Sequence, residues 1–124
     1  MLAAVSRPFR KAVTAARTLR LCKSEVLSIS AGGYHTLICT GDGVVYSFGR
    51  GEKWRLGHGG EQDERVPRLI EGPLVGKKVI GAAAGFHYSL VWTEDGAHSF
   101  GDGGWGTLGH GDRTCARTPK LIEL

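Results

Sequence analysis

Ala31-Gly32-Gly33-Tyr34-His35-Thr36-Leu37-Ile38-Cys39-Thr40-Gly41-Asp42-Gly43 returns 53 positions later as Ala84-Gly85-Phe86-His87-Tyr88-Ser89-Leu90-Val91-Trp92-Thr93-Glu94-Asp95-Gly96. The alanine, the first glycine, the leucine, the threonine and the Asp-Gly pair match identically. Thr36/Ser89 and Ile38/Val91 match in kind. One residue then drops out and the offset becomes 52: Ser47-Phe48-Gly49 aligns with Ser99-Phe100-Gly101, and Leu56-Gly57-His58-Gly59 with Leu108-Gly109-His110-Gly111. Pro67-Arg68-Leu69-Ile70-Glu71 likewise meets Pro119-Lys120-Leu121-Ile122-Glu123. One unit is written twice, and that decides the architecture.

Each copy reads as short strands punctuated by glycine. Glu25–Ser30 and Lys78–Ala83 suit a first strand, and Thr36–Thr40 and Ser89–Thr93 a second. Asp42-Gly43 and Asp95-Gly96 then supply the positive φ that reverses the chain into a hairpin. Val44–Phe48 and Ala97–Phe100 return as third strands, a long glycine-rich loop begins at Gly49, and Pro67–Glu71 and Pro119–Glu123 form fourth strands that start on proline. Trp92, at the position of Cys39, is expected in the core. Structural turns are expected at Gly32, Asp42, Gly43, Gly49, Gly57, Gly59, Gly85, Asp95, Gly96, Gly101, Gly109 and Gly111. Four strands per repeat point to an all-β fold of two propeller-type blades, an incomplete propeller.

Bulk composition agrees. Twenty of 124 residues are glycine, all between Gly32 and Gly111, while proline numbers only 4. Many tight turns in a chain with ordinary apolar content argue against a helical bundle and against disorder. The net charge of +4 is uneven: residues 1–24 carry six basic and no acidic side chains, and the rest sums to −2. The repeats therefore lack the clustered cations of a nucleic-acid surface. In the leader, Leu2, Val5, Phe9, Ala12, Val13, Ala16 and Leu19 share one helical arc opposite Arg7, Arg10, Lys11 and Arg17. This is the pattern of a mitochondrial targeting peptide; a basic tail is the alternative. Three unpatterned cysteines (Cys22, Cys39, Cys115) fit a reducing compartment, and no apolar run is long enough to span a membrane.

The candidate chemistries resolve toward structure. Gly101-Asp102-Gly103-Gly104-Trp105-Gly106 has the spacing of a dinucleotide fingerprint, but it leads into Leu108-Gly109-His110-Gly111, which cannot propagate the required helix. His35, His58, His87, His98 and His110 are scattered singles without zinc-ligand spacing. Asp42 and Asp95 sit in equivalent turns and do not converge, and Ser47 and Ser99 lack an evident base. No catalytic residue, metal, cofactor or small-molecule substrate is expected. The loops are the better candidates: Arg50, Lys53, Trp54 and Arg55 in the first copy, Asp102, Trp105 and Arg113 in the second. They combine the aromatic and cationic residues enriched in binding hot spots. Trp54 and Trp105 either pack within their loops or meet a partner.

Taken as a set, Ala-Gly-x-x-x-[Thr/Ser]-Leu, Asp-Gly, Ser-Phe-Gly and Leu-Gly-His-Gly resemble the repeats of the regulator of chromosome condensation family over residues 25–124. The resemblance implies seven-bladed β-propellers whose loop-built faces grip other proteins. The best-known member is a guanine nucleotide exchange factor for the small GTPase Ran; others occur in large ubiquitin ligases, in a plant ultraviolet-B photoreceptor and in mitochondrial proteins. The photoreceptor's Gly-Trp-Arg-His-Thr motif is absent, for the corresponding stretches are Gly32–Thr36 and Gly85–Ser89. Two repeats where the family has seven imply a fragment of a larger propeller. The expected organisation is a leader over 1–24, helical or disordered, and repeats over 25–77 and 78–124. The expected function is non-catalytic protein binding in the cytoplasm or nucleus, with the mitochondrion as the alternative. A part of an exchange factor for a small GTPase, or a substrate-recognition module of a ubiquitin ligase, are the other readings.

Overall fold

Short apolar runs broken by glycine build eight strands in the computed structural model, which describes residues 25–123. The leader anticipated over 1–24 lies outside the described residues. β1 (Val26–Ala31), β2 (His35–Thr40), β3 (Val45–Gly49) and β4 (Glu64–Leu69) form one antiparallel sheet in the order β1-β2-β3-β4. β5 (Val79–Ala84), β6 (Tyr88–Thr93), β7 (Gly96–Gly101) and β8 (Ala116–Leu121) repeat that order in a second sheet. The described residues are all-β, two propeller-type blades side by side that do not close a ring. Helical geometry among the described residues is limited to the 3-10 turns Glu52–Trp54 and Gly72–Leu74. None of these is long or apolar enough to cross a membrane.

The single-residue gap between the copies falls in a hairpin. Thr93 pairs directly with Gly96, leaving a two-residue turn, whereas the first copy loops through Gly41-Asp42-Gly43-Val44 with the Gly43 N–H bonded to the Thr40 carbonyl at 3.0 Å. The anticipated turn glycines adopt positive φ except Gly32 and Gly85. Those two serve close approach: a Cβ on Gly32 would lie 2.3 Å from the Gly85 carbonyl oxygen of the other blade.

Two expectations need correction. The fourth strands begin at Glu64 and Ala116, so Pro67 and Pro119 lie within them and not at their starts. Each proline falls where the register with β3 or β7 slips, between Ser47 and Gly49 or between Ser99 and Gly101. On an outermost strand at a bulge, no ladder bond needs the missing N–H. Trp92 is not core: 39% of it is exposed. Strand alternation puts it on the face opposite Val91, turned away from the first blade. Its indole lies where a Cβ on Gly81 would sit, 2.3 Å from the ring. Cys39, at the same repeat position, is buried because the second blade covers it.

That covering is the main core. Leu37, Cys39 and Val45 of the first blade pack with Val79, Val91 and Phe100 of the second. The seam is also hydrogen-bonded, with the Val79 N–H to the Gly43 carbonyl at 2.8 Å, the Gly59 N–H to the Arg117 carbonyl at 3.0 Å and the Ala84 N–H to Ser30 Oγ at 3.0 Å. His35 Nε2 lies 2.7 Å from Ser89 Oγ, whose own proton goes to the Arg55 carbonyl at 2.8 Å. Ser89 therefore accepts from Nε2–H, leaving Nδ1 unprotonated, buried and without a partner.

Burial, and next the Arg55 and His87 charges, lower the His35 pKa to about 4. A base whose folded pKa lies below its unfolded value takes up protons preferentially in the unfolded chain. Stability is thus retained above the unfolded pKa of about 6.5 and lost as pH falls from there toward about 4. Lowering the pH from about 7 to about 5.5 is expected to reduce the unfolding free energy by about 1 kcal/mol through His35 alone. The urea midpoint of wild type should fall over that interval more steeply than that of His35→Gln, which has nothing to titrate there.

Candidate protein-binding face

β2 and β6 start, and β3 and β7 end, at the same edge of the paired sheets. The β1–β2, β3–β4, β5–β6 and β7–β8 loops therefore emerge on one face. Main-chain bonds tie them together within each blade: the Arg50 N–H reaches the Tyr34 carbonyl at 2.9 Å, and the Asp102 N–H the His87 carbonyl at 2.8 Å.

An aromatic cluster spans both blades on this face. Tyr34 and Phe86 are separated by 5.9 Å between centroids, Phe86 and His87 by 6.1 Å, and Tyr34 stacks on His87 at 6.3 Å and 13°. Tyr34 and His87 are repeat-equivalent, and the stack joins them across the seam. Tyr34 is 47% exposed and Phe86 63%. A Cβ on Gly33 would lie 2.8 Å from the Phe86 ring, so the ring rests against bare backbone. Arg50 and Arg55 place their guanidinium carbons 5.5 and 5.3 Å from the Tyr34 centroid.

The structure distributes the anticipated loop residues unevenly. Arg50 is exposed and pairs with Glu52 at 2.6 Å. Arg55, anticipated with them, is buried. Its Nε donates to the Glu52 carbonyl at 2.7 Å and its Nη1 to the Phe86 carbonyl at 2.9 Å, so it clamps one blade to the next. Burial, and next the Arg50 charge, hold its pKa below the usual arginine value. Lys53 is exposed and Trp54 half-buried, both with positive φ (64° and 56°). Arg117 of the second blade caps the Trp54 ring at 4.9 Å. Trp105 is 88% exposed at its loop tip. Asp102, half-buried, accepts from the Gly104 N–H of its own loop at 2.9 Å, and Arg113 is exposed on the same loop.

Sequence reasoning missed Tyr34, Phe86 and His87. Aromatic rings at glycine-flanked turn positions of both copies were the available signal. It also missed the partners of the two serines. Ser47 Oγ lies 2.9 Å from His58 Nε2 and donates to the Leu56 carbonyl at 2.8 Å; Ser99 repeats this with His110 at 2.8 Å and the Leu108 carbonyl at 2.7 Å. A histidine does stand beside each serine. Each hydroxyl is buried, however, with its proton committed to a main-chain carbonyl, so the histidine donates to it and the trio pins the long loop to its sheet. No group of three or more metal-ligating side chains converges among the described residues.

A sequence model of the "Regulator of chromosome condensation (RCC1) repeat" matches residues 42–92, and a second model of the same repeat matches residues 26–53. The E3 ubiquitin-protein ligase HERC2 of Homo sapiens is 44% identical over 102 residues, which is 80% of this chain and 2% of that protein. The Protein RCC2 homolog of Danio rerio is 44% identical over 92 residues, 72% of this chain and 18% of the relative. The ultraviolet-B receptor UVR8 of Arabidopsis thaliana is 34% identical over 101 residues, covering 80% and 23%. Among solved structures, Prp20p from Saccharomyces cerevisiae, described with its binding to Gsp1p and histones, superposes with a TM-score of 0.72 at 27% identity over 82% of this chain and 26% of Prp20p. Human WBSCR16 gives 0.71 at 26% identity over 81% and 26%. The chain thus spans about a quarter or less of the relatives it matches.

Proposed function

The chain belongs to the regulator of chromosome condensation repeat family, and from that premise we propose that it is a non-catalytic protein-interaction module that binds through its loop face. The observation that carries this reading is the exposed aromatic cluster of Tyr34, Phe86 and His87 packed together across the two blades. Rings fixed in place lose little entropy on binding and offer large contact area, which is why aromatics and arginine dominate interface hot spots. Arg50, Lys53, Trp54, Asp102, Trp105 and Arg113, carried by loops of the same face, are proposed as its polar and aromatic rim. Repeats over 25–77 and 78–124 following a leader over 1–24 are part of the same proposal. So is an intracellular setting, in keeping with free Cys39 and Cys115.

Prp20p is described with Gsp1p as a binding partner, which keeps a small GTPase among the candidate partners. The two readings separate by experiment. Wild type, the triple variant Arg50→Glu/Phe86→Ala/Trp105→Ala and a control with Val75→Ser on the opposite face are used to capture proteins from cell extract. Capture of a defined set is expected to fall more than about tenfold for the triple variant and to persist for the control, a loss typical of several hot-spot truncations. Equal capture by all three proteins, or by none, would remove the loop-face reading. In parallel, release of fluorescent GDP from a Ran-type GTPase is expected to proceed at its intrinsic rate with wild type present. Acceleration would instead establish exchange activity.

A further inference from the structure

The geometry points to a specific ligand chemistry for this face: an acidic side chain of a partner protein next to an aromatic one, with the aromatic on Phe86 and the carboxylate on Arg50. This inference rests on the loop face being a protein-binding surface, as above. The apolar half of the site is Phe86, exposed on one side and backed on the other by Gly33.

The anionic half follows from where the carboxylates of this face go. Glu61 Oε1 accepts from the Lys53 N–H at 2.9 Å, Asp63 Oδ1 from the Gly51 N–H at 2.9 Å and Asp102 Oδ1 from the Gly104 N–H at 2.9 Å. All three thereby satisfy their own loops. Two guanidinium groups lie over Tyr34, and the Glu52 and Asp102 carboxylates both attract Arg55. Arg55 spends its Nε and Nη1 on main-chain carbonyls and joins no ion pair among the described residues. Among the described residues the ion-pair partner of Arg50 is Glu52, with both side chains about half exposed. Such a pair contributes little to stability because water screens it. Glu52 therefore occupies the place of a partner's carboxylate and yields it readily. The incoming carboxylate gains the fork geometry of Arg50 and takes over from Glu52 the attraction of the nearby Arg55 charge.

The test uses the full chain and a fluorescein-tagged nonapeptide, Ser-Gly-Ser-Glu-Phe-Glu-Ser-Gly-Ser, with Gln-Phe-Gln and Glu-Ala-Glu controls, read by fluorescence anisotropy. Wild type is expected to bind the Glu-Phe-Glu peptide at least fivefold more tightly than either control, with affinity falling as salt rises. Glu52→Gln should strengthen binding about threefold by freeing Arg50. Arg50→Gln and Phe86→Ala should each weaken it about tenfold. A merely structural role for Glu52 would not produce the gain, and unfolding midpoints establish that each variant is folded. Equal binding of the three peptides, no binding of any, or a loss with Glu52→Gln overturns the inference. If the peptides fail while capture from extract still depends on the loop face, only the ligand chemistry is wrong. If capture is also independent of that face, the module reading falls with it.

Discussion

Phe100→Ala is expected to lower the unfolding free energy by about 4 kcal/mol, the range for truncating a fully buried phenylalanine. The ring is wholly inaccessible and belongs to the cluster that joins Leu37, Cys39 and Val45 to Val79 and Val91. Its removal leaves a cavity between two sheets, and the sheets are held by their own ladders, so the void does not collapse fully. Typical domains have only about 5–15 kcal/mol of net stability, so this one change approaches the threshold for folding at all. Urea unfolding followed by tryptophan fluorescence gives the midpoint. A shift worth less than about 1 kcal/mol would mean that the blades are not held together by this contact.

Gly57→Ala is the second large effect, about 3 kcal/mol. Gly57 has φ +78°, and a Cβ there would lie 2.7 Å from the Phe100 ring. Left-handed backbone costs an alanine about 1 kcal/mol. Overpacking a filled core costs about 2 kcal/mol more. The two sites should couple, since the obstacle to the new methyl group is the ring that Phe100→Ala removes. The double variant is therefore expected to be less unstable than the two single effects summed, by about 1–2 kcal/mol. Strict additivity in that cycle would show that backbone strain, and not the Phe100 contact, explains the need for glycine at position 57.

The hairpins were legible because their information is local. Period-2 patterning, Asp-Gly turns and Ser-Phe-Gly recur at fixed spacing, and each acts within a few residues of where it is written. Strand ends were less so: β4 reaches back to Glu64 because a bulge lets Pro67 sit inside an outer strand. Trp92 was misplaced for a different reason. Its residue type and strand position match a core site, but burial depends on whether another sheet covers that face, and the face of the second blade turned from the first is open. Arg55 shows the converse. An arginine in a long loop reads as surface, yet the carbonyls of Glu52 and Phe86 and the Tyr34 ring enclose it.

From the sequence alone came the number of units, the strands in each, the hairpins that join them and the family they resemble, since all of these are carried by intervals of a few residues read twice. Only the tertiary structure decided which faces meet. Stacking the second blade on the first buries Cys39, gives His35 a serine from 54 positions away and brings Tyr34 beside Phe86 and His87. No spacing along the chain encodes such contacts, because they arise where two separately complete sheets exclude water from the surfaces between them.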